Sequence, residues 1–142
     1  MYSRNIADLE GKVRSQEQTL GDDHPQLADT LGQLAHLYFV FDRVDDAERV
    51  LWRAITICGK WFGQENLATA GWLHDLGYLY ETQSRWSEAE HVYRLAYAIQ
   101  CVNLGSTHRD SMQTARSIIT CCRSQSKPIL ERELERMAKV GN

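Results

Sequence analysis

Residues Leu20–Pro25 read LGDDHP, an odd phrase in a chain otherwise rich in helix formers. Worn copies stand at Phe62–Leu67, FGQENL, and at Leu104–Arg109, LGSTHR. Their glycines, Gly21, Gly63 and Gly105, lie 42 residues apart. A punctuation mark recurring at one interval is the signature of a repeat architecture. Within the phrase, Gly21 is suited to the left-handed backbone that ends a helix. Asp22 and Asp23 are placed to accept from the free N–H groups of the next helix start, where negative charge is also favoured. Pro25 suits a first helical position. Asn66 and Thr107 are the matching caps in the copies. His24 and His108 recur by repeat position, which suits capping or hydrogen bonding between repeats.

The segments between these marks repeat as well. Shifted by 42 residues, Leu31, Leu34, Ala35 and Tyr38 fall on Leu73, Leu76, Gly77 and Tyr80. That spacing, i, i+3, i+4 and i+7, lines one face of an α-helix. Ala47, Leu51 and Ala54 fall on Ala89, Tyr93 and Ala96, again one helical face, with alanines where two helices approach closely. Asp42–Val44 and Gln83–Arg85 are short polar breaks. Each unit is therefore expected to be two antiparallel helices joined by a tight turn.

A third unit is degenerate. Met112, Ala115, Ile118, Ile119 and Cys122 stand where the second unit has Ala70, Leu73, Leu76, Gly77 and Tyr80. Its second helix is expected from Pro128, with Leu130, Leu134, Met137 and Ala138 as the buried stripe, a register one residue short, and a compressed turn over Gln125–Lys127. The charged outer face, Glu131, Arg132, Glu133, Glu135 and Arg136, suits a terminal cap that hides apolar surface on one side only. At the other end Ile6, Leu9, Val13 and Leu20 precede Glu48, Leu51, Ile55 and Phe62 by 42 residues, a lone second helix closing that end. The expectation is an all-α, right-handed α-solenoid of about seven helices. It forms a single domain over 1–142: half-repeat 4–20, repeat 1 at 24–62, repeat 2 at 66–104, and repeat 3 with its capping helix at 108–140.

Composition agrees with this class. The chain has 142 residues, a formal net charge of −3, two prolines, and charged residues at 25%. Nothing in that balance attracts nucleic acid or an acidic membrane surface. No run approaches the roughly 18 apolar residues of a membrane span, and the N-terminal residues lack a signal-peptide core. Cys58, Cys101, Cys121 and Cys122 show no CxxC spacing, so buried free thiols in a reducing compartment are expected. The expected location is the cytoplasm.

With the repeat laid out, a family resemblance emerges. L-x-x-L-A-x-L-Y, then D-x-A-E with alanine seven residues on, then L-G-x-x-H-P, resembles the tetratricopeptide repeat, commonly about 34 residues long. The longer 42-residue unit is similar to the variety found in kinesin light chains and many bacterial repeat proteins. The resemblance covers roughly residues 4–124, most closely in the first two units. It implies a curved stack whose first helices line a concave groove for an extended peptide or a partner's helix.

Carried over position by position, the groove comprises Asp29, Gly32, Gln33, His36, Phe39 and Val40 in repeat 1. Repeat 2 adds Gly71, His74, Asp75, Tyr78, Glu81 and Thr82. Repeat 3 adds Gln113, Arg116, Ser117, Thr120, Arg123 and Ser124. Phe39 and Tyr78 suit binding anchors, because core burial does not account for them. Acids mark the first two repeats and arginines the third. Two departures stand out. Kinesin-type repeats usually carry asparagine where this chain has Gln33, Asp75 and Ser117. Asp29, Gly32, His36, His74 and Tyr78 stand where chaperone-binding domains clamp a carboxylate with Lys, Arg and Asn.

The expected partner is a protein or peptide, with no nucleic acid, membrane, cofactor or metal. His36 and His74 invite a metal or pH-switch idea, but no third ligand is placed beside them. Trp61, Trp72 and Trp86 suit packing between helix layers, whereas Trp52, next to core-facing Leu51, is expected to be partly exposed. Catalysis is not expected: the chain has no phosphate-cradling loop, nucleophile elbow or HExxH. Two non-catalytic classes stay open. One is a groove that binds a partner's segment, with the chain a monomer. The other is a structural or self-assembling module, a homo-oligomer or a fragment of a longer scaffold, whose convex face or ends make the contacts, a homodimer seam at Trp52 included.

Overall fold

The structure is a computed structural model that describes residues 2–125 and 128–140. Among the described residues its only regular structure is helix, with seven helices and no strand. They form two compact units, Met1–Gln64 and Glu65–Asn142, divided in the linker between the first and second repeats. The first unit contains α1 (Tyr2–Leu20), α2 (Pro25–Val40) and α3 (Val44–Phe62). The second contains α4 (Leu67–Thr82), α5 (Trp86–Leu104), α6 (Arg109–Ser124) and α7 (Pro128–Lys139).

These boundaries keep the 42-residue period without drift. Pro25, Leu67 and Arg109 open the first helices; Val44, Trp86 and Pro128 open the second. The shortened register expected for repeat 3 is therefore overturned, since α7 starts a full 42 residues after α5. The compressed turn expected there falls partly on residues 126 and 127, which lie outside the described residues.

The phrase that marks each repeat works as a helix stop and start, capped by His24, Asn66 and His108, as their repeat positions suited, and not by the aspartates or Thr107. Gly21, Gly63 and Gly105 all have positive φ, 92°, 84° and 88°. At Gly63 and Gly105, ψ is 158°. That is not the left-handed helical region but the extended region at positive φ, which is essentially reserved to glycine. The caps are His24, Asn66 and His108. His24 Nδ1 accepts from the Gln26 N–H at 3.2 Å, Asn66 Oδ1 from Ala68 at 2.8 Å, and His108 Nδ1 from Asp110 at 3.1 Å. Asn66 and Pro25 stand as expected; Asp22, Asp23 and Thr107 do not cap.

The two aspartates serve α3 instead. Arg53 donates to the Asp22 carbonyl at 2.9 Å and pairs with Glu17 at 2.6 Å. Asp23 pairs with Lys60, and its carbonyl accepts from the Trp61 indole. The Lys60 ammonium holds the Asp23 carboxyl below its ordinary range. A histidine one residue nearer the helix has the reach to take the capping role that the aspartates leave.

The turns inside each pair are also duplicates. Asp42 and Ser84 take left-handed φ values of 60° and 58°, tolerable for short polar side chains. The next N–H groups, of Arg43 and Arg85, close onto the carbonyls of Tyr38 and Tyr80 at 2.7 and 2.9 Å. Each arginine then lies over that same tyrosine's ring, 4.4 Å from its centre, and pairs forward with Asp46 or Glu88.

In the first unit, Leu27, Leu31, Leu34, Tyr38, Leu51 and Ile57 are buried where α2 meets α3, and α1 adds Ile6 and Val13 against α2. In the second, Leu73, Leu76, Leu79, Tyr80, Val92 and Tyr93 bury between α4 and α5, and Ile118, Cys121 and Cys122 belong to α6. Each large side chain so buried stabilises by roughly 1.5–3 kcal/mol relative to exposure. On α7, Leu134 is buried but Met137, expected in the same stripe, is 44% exposed; the side chain of Leu130 lies outside those described. Leu20 and Trp61, also expected to pack, are exposed. Both stand where a helix runs out: Leu20 ends α1, and Trp61 lies one residue from the end of α3.

Candidate functional site

The first helix of each repeat buries one face against its own second helix, which leaves another face outward. On α2 that face presents Asp29, Gln33, His36 and Val40 as exposed side chains, with Gly32 and Phe39 half-buried. On α4, Gly71, Asp75, Tyr78 and Thr82 are exposed, with His74 and Glu81 half-buried. On α6, Gln113, Arg116, Thr120, Arg123 and Ser124 are exposed and Ser117 is half-buried. All eighteen positions on the three helices are thus outward or partly outward. Tyr78 is 54% exposed, far from the few per cent of its core neighbours Leu76 and Leu79.

Within the second unit, one core side chain ties three of these residues together. Tyr93 of α5 is buried, and its hydroxyl donates to Glu81 Oε2 of α4 at 2.8 Å. The Ser117 hydroxyl of α6 also reaches the phenol oxygen. The His74 ring stands edge-on to the Tyr93 ring at 5.2 Å. Burial, and next the Glu81 carboxylate, push the phenol well above its ordinary pKa, so Tyr93 is a neutral donor that fixes Glu81. The repeat alignment makes Tyr93 a core residue and misses this role. Its signal is a paired change: Ala35 and Leu51 of repeat 1 become Gly77 and Tyr93 in repeat 2.

The first unit has its own tyrosine–carboxylate bond, built differently. Tyr38 of α2 donates to Glu10 of α1 at 2.5 Å. Burial, then the Glu10 carboxylate, raise its phenol to about 12.

Charge on α6 is partly engaged by α7. Arg123 pairs with Glu135 at 2.9 Å. Among the described residues Arg116 meets no carboxylate. A cleft of about 290 Å³ opens beside it, lined by Met112, Arg116, Ile119, Glu135, Ala138 and Lys139. No group of three or more His, Cys, Asp or Glu is placed to hold a metal among the described residues. No described helix is long and apolar enough to cross a membrane.

The tetratricopeptide-repeat family profile matches residues 30–101, just over half of the 142 residues. The chain belongs to the tetratricopeptide-repeat family. Proteins of this family are in general protein–protein interaction modules.

Among solved structures, the chain is similar to nearly identical TPR-like repeats assigned to a kinesin light chain of Podosopora anserina, with a TM-score of 0.79 and 22% identity. That alignment covers 98% of this chain and 66% of the other; a singly substituted form of those repeats matches equally. BtubC (BKLC) from P. vanneervenii aligns with a TM-score of 0.84 and 17% identity over 97% of this chain and 55% of its own. The chain thus spans 66% of the length of the first of these relatives and 55% of the other. The shared fold is the α-solenoid of helix pairs, of the kinesin-light-chain-like variety. No curated protein sequence matches the chain.

Proposed function

We propose that this chain is a non-catalytic interaction module that takes a peptide or helix of another protein on the outward faces of its first helices. The observation that carries the reading is Tyr78. A tyrosine at 54% exposure, on a helix whose opposite face is buried, offers a large rigid surface at low entropic cost. Asp75 one turn before it is exposed, and Glu81 one turn after is held by Tyr93. On α6 of the same unit, Arg116 and Arg123 supply the opposite sign. On α2, Asp29, Gln33, His36, Phe39 and Val40 repeat the mixture of polar side chains around an apolar anchor.

The test is selection of displayed random peptides against the full chain, followed by affinity measurement on variants. Tyr78→Ala is expected to weaken selected peptides at least about tenfold, the size of a typical anchor, with the melting temperature unmoved. Peptides that bind Tyr78→Ala and Arg116→Ala as tightly as the parent chain would overturn the proposal.

The second reading, self-assembly, draws on Trp52, which is 38% exposed on α3. It requires a sedimentation mass that rises with concentration and falls with Trp52→Glu; the groove reading expects a monomer throughout. The cytoplasm is the proposed location, because buried thiols at Cys58, Cys121 and Cys122 suit a reducing compartment.

A further inference from the structure

Twice within its own fold this chain shows what a tyrosine beside a carboxylate takes. Arg43 lies over the Tyr38 ring at 4.4 Å and pairs with Asp46 at 2.9 Å. Arg85 lies over the Tyr80 ring at 4.4 Å and pairs with Glu88. In both, the planar guanidinium covers the ring while its edge donates to the acid. Arginine suits this place because its charge is delocalised and weakly hydrated, whereas a lysine ammonium holds its water.

A third tyrosine and carboxylate stand on the outward face of α4. Tyr78 and Glu81 are three residues apart, so their side chains are neighbours on the helix surface. Tyr78 is 54% exposed and Glu81 is half-buried. Among the described residues no cation pairs with Glu81; its Oε2 has the Tyr93 hydroxyl instead. A half-buried carboxylate served by one neutral donor keeps an unmet demand for positive charge. That demand is also fixed in place. Tyr93 is 1% exposed and bonded to the acid, and holding a side chain ready in this way lowers the entropic cost of binding. Of the three repeats only the second carries the pair: the first has His36 and Phe39 at these positions, the third Thr120 and Arg123. Arg116 and Arg123 on α6 have the sign of an incoming cation, which keeps that cation on the α4 side.

We infer that Tyr78 and Glu81 form a seat for an arginine side chain of the partner's segment, its guanidinium stacked on the phenol ring and donating to Glu81 Oε1. Tyr93 is the positioning residue that holds the carboxylate. The seat lies on the binding face proposed above, so it requires that face to bind a peptide, and it adds the chemistry of what binds.

The experiment selects displayed random peptides on the full chain and keeps those whose binding is lost with Tyr78→Ala. These are expected to share an arginine. Replacing it by citrulline, which has the shape without the charge, is expected to weaken binding at least about tenfold. Glu81→Gln still accepts from Tyr93. It is expected to cost the arginine peptide the same factor and the citrulline peptide nothing. Tyr93→Phe is expected to weaken the arginine peptide severalfold and leave the citrulline peptide unchanged, a selectivity that a merely destabilised fold does not give. Kept peptides with no shared arginine, or with affinity unmoved by Glu81→Gln, would remove the seat and leave the α4 face standing. Loss with Asp75→Asn in place of Glu81→Gln would also overturn the inference, since the cation would then sit one turn earlier. So would an Arg→Lys peptide that binds as tightly, because a bare charge needs no stacked ring. Selection that yields no peptide sensitive to Tyr78→Ala would take away the face and the seat together.

Discussion

Gly77 lies directly against the ring of Tyr93: a Cβ placed at position 77 would stand 2.5 Å from the ring edge. The ring has no room to retreat, because it is 1% exposed and its hydroxyl is bonded to Glu81. The same two positions in the first repeat hold Ala35 and Leu51, both buried. A small side chain with a medium one, or no side chain with a large one, fills the same space between a first and a second helix.

Gly77→Ala is therefore expected to destabilise the protein even though alanine favours helix. The intrinsic gain is about 0.5–1 kcal/mol, against an overpacking cost of roughly 1–3 kcal/mol in a core that is already close-packed. Tyr93→Leu alone is expected to destabilise by leaving a cavity. The double variant rebuilds the Ala35–Leu51 pair and is expected to be more stable than the two single changes add up to, by about 0.5–3 kcal/mol. Urea unfolding of the four proteins measures the coupling. Additive effects would mean that the two positions do not share that space.

The same pair shows how far the sequence can be read. Period, helix faces and turns follow from apolar spacing and glycine position, since both are local properties that a 42-residue shift exposes. The outward faces of α2, α4 and α6 follow too, as the remainder once the buried stripe is known. Reach is not legible in this way. A histidine cap is legible from repeat position, but that the two aspartates before it do not cap is not: Arg53 takes the Asp22 carbonyl and Lys60 the Asp23 carboxylate, each from over 30 residues away. Tyr93 as the support of Glu81 likewise needs α4 and α5 to be placed together. Met137 reads as core by spacing and is exposed, because amphipathic spacing on α7 does not tell which apolar side chain meets α6 and which meets solvent.

The caps give a prediction that separates the histidines from the aspartates. His24→Ala, Asn66→Ala and His108→Ala are each expected to cost about 1 kcal/mol, the usual worth of a side-chain cap. Asp22→Ala and Thr107→Ala are expected to change stability by less than about 0.5 kcal/mol, as exposed positions without a cap to lose. His24→Asn is expected to restore what His24→Ala loses. Thermal unfolding of the six variants decides the matter, and a larger loss at Asp22 than at His24 would return the cap to the aspartate.

Alkaline pH should weaken the first unit through Tyr38. Its phenol is raised from 10 to about 12 by burial and by Glu10, so the folded state holds a proton that the unfolded chain releases earlier. The associated stability is fully present below about pH 10 and is lost as pH rises towards 12. Tyr38→Phe removes this proton along with the bond to Glu10. The stability difference between parent and variant is expected to narrow over that window, by at most about 2–3 kcal/mol. Tyr93 and Tyr97 add alkaline sensitivity of the same sign, so the comparison with Tyr38→Phe isolates one residue. A difference that stays constant from about pH 8 to about pH 12 would contradict the Tyr38–Glu10 bond.

Thiol reactivity tests the packing of α6. Cys121 and Cys122 have no exposed surface, and Cys58 has 3%, while Cys101 is partly open. Burial, with Glu81 nearby, pushes the Cys121 thiol from 9 up to about 12. At about pH 8 a shift of that size cuts the reactive thiolate roughly a thousandfold. Iodoacetamide on the native chain is therefore expected to modify Cys101 first. The other three should follow only at the rate at which their helices open. Peptide mapping after timed quenching gives the order, and urea should bring all four to similar rates. Cys121 reacting in step with Cys101 in the native protein would mean that α6 presents a different face to α5. That outcome would remove the contact between Ser117 and Tyr93.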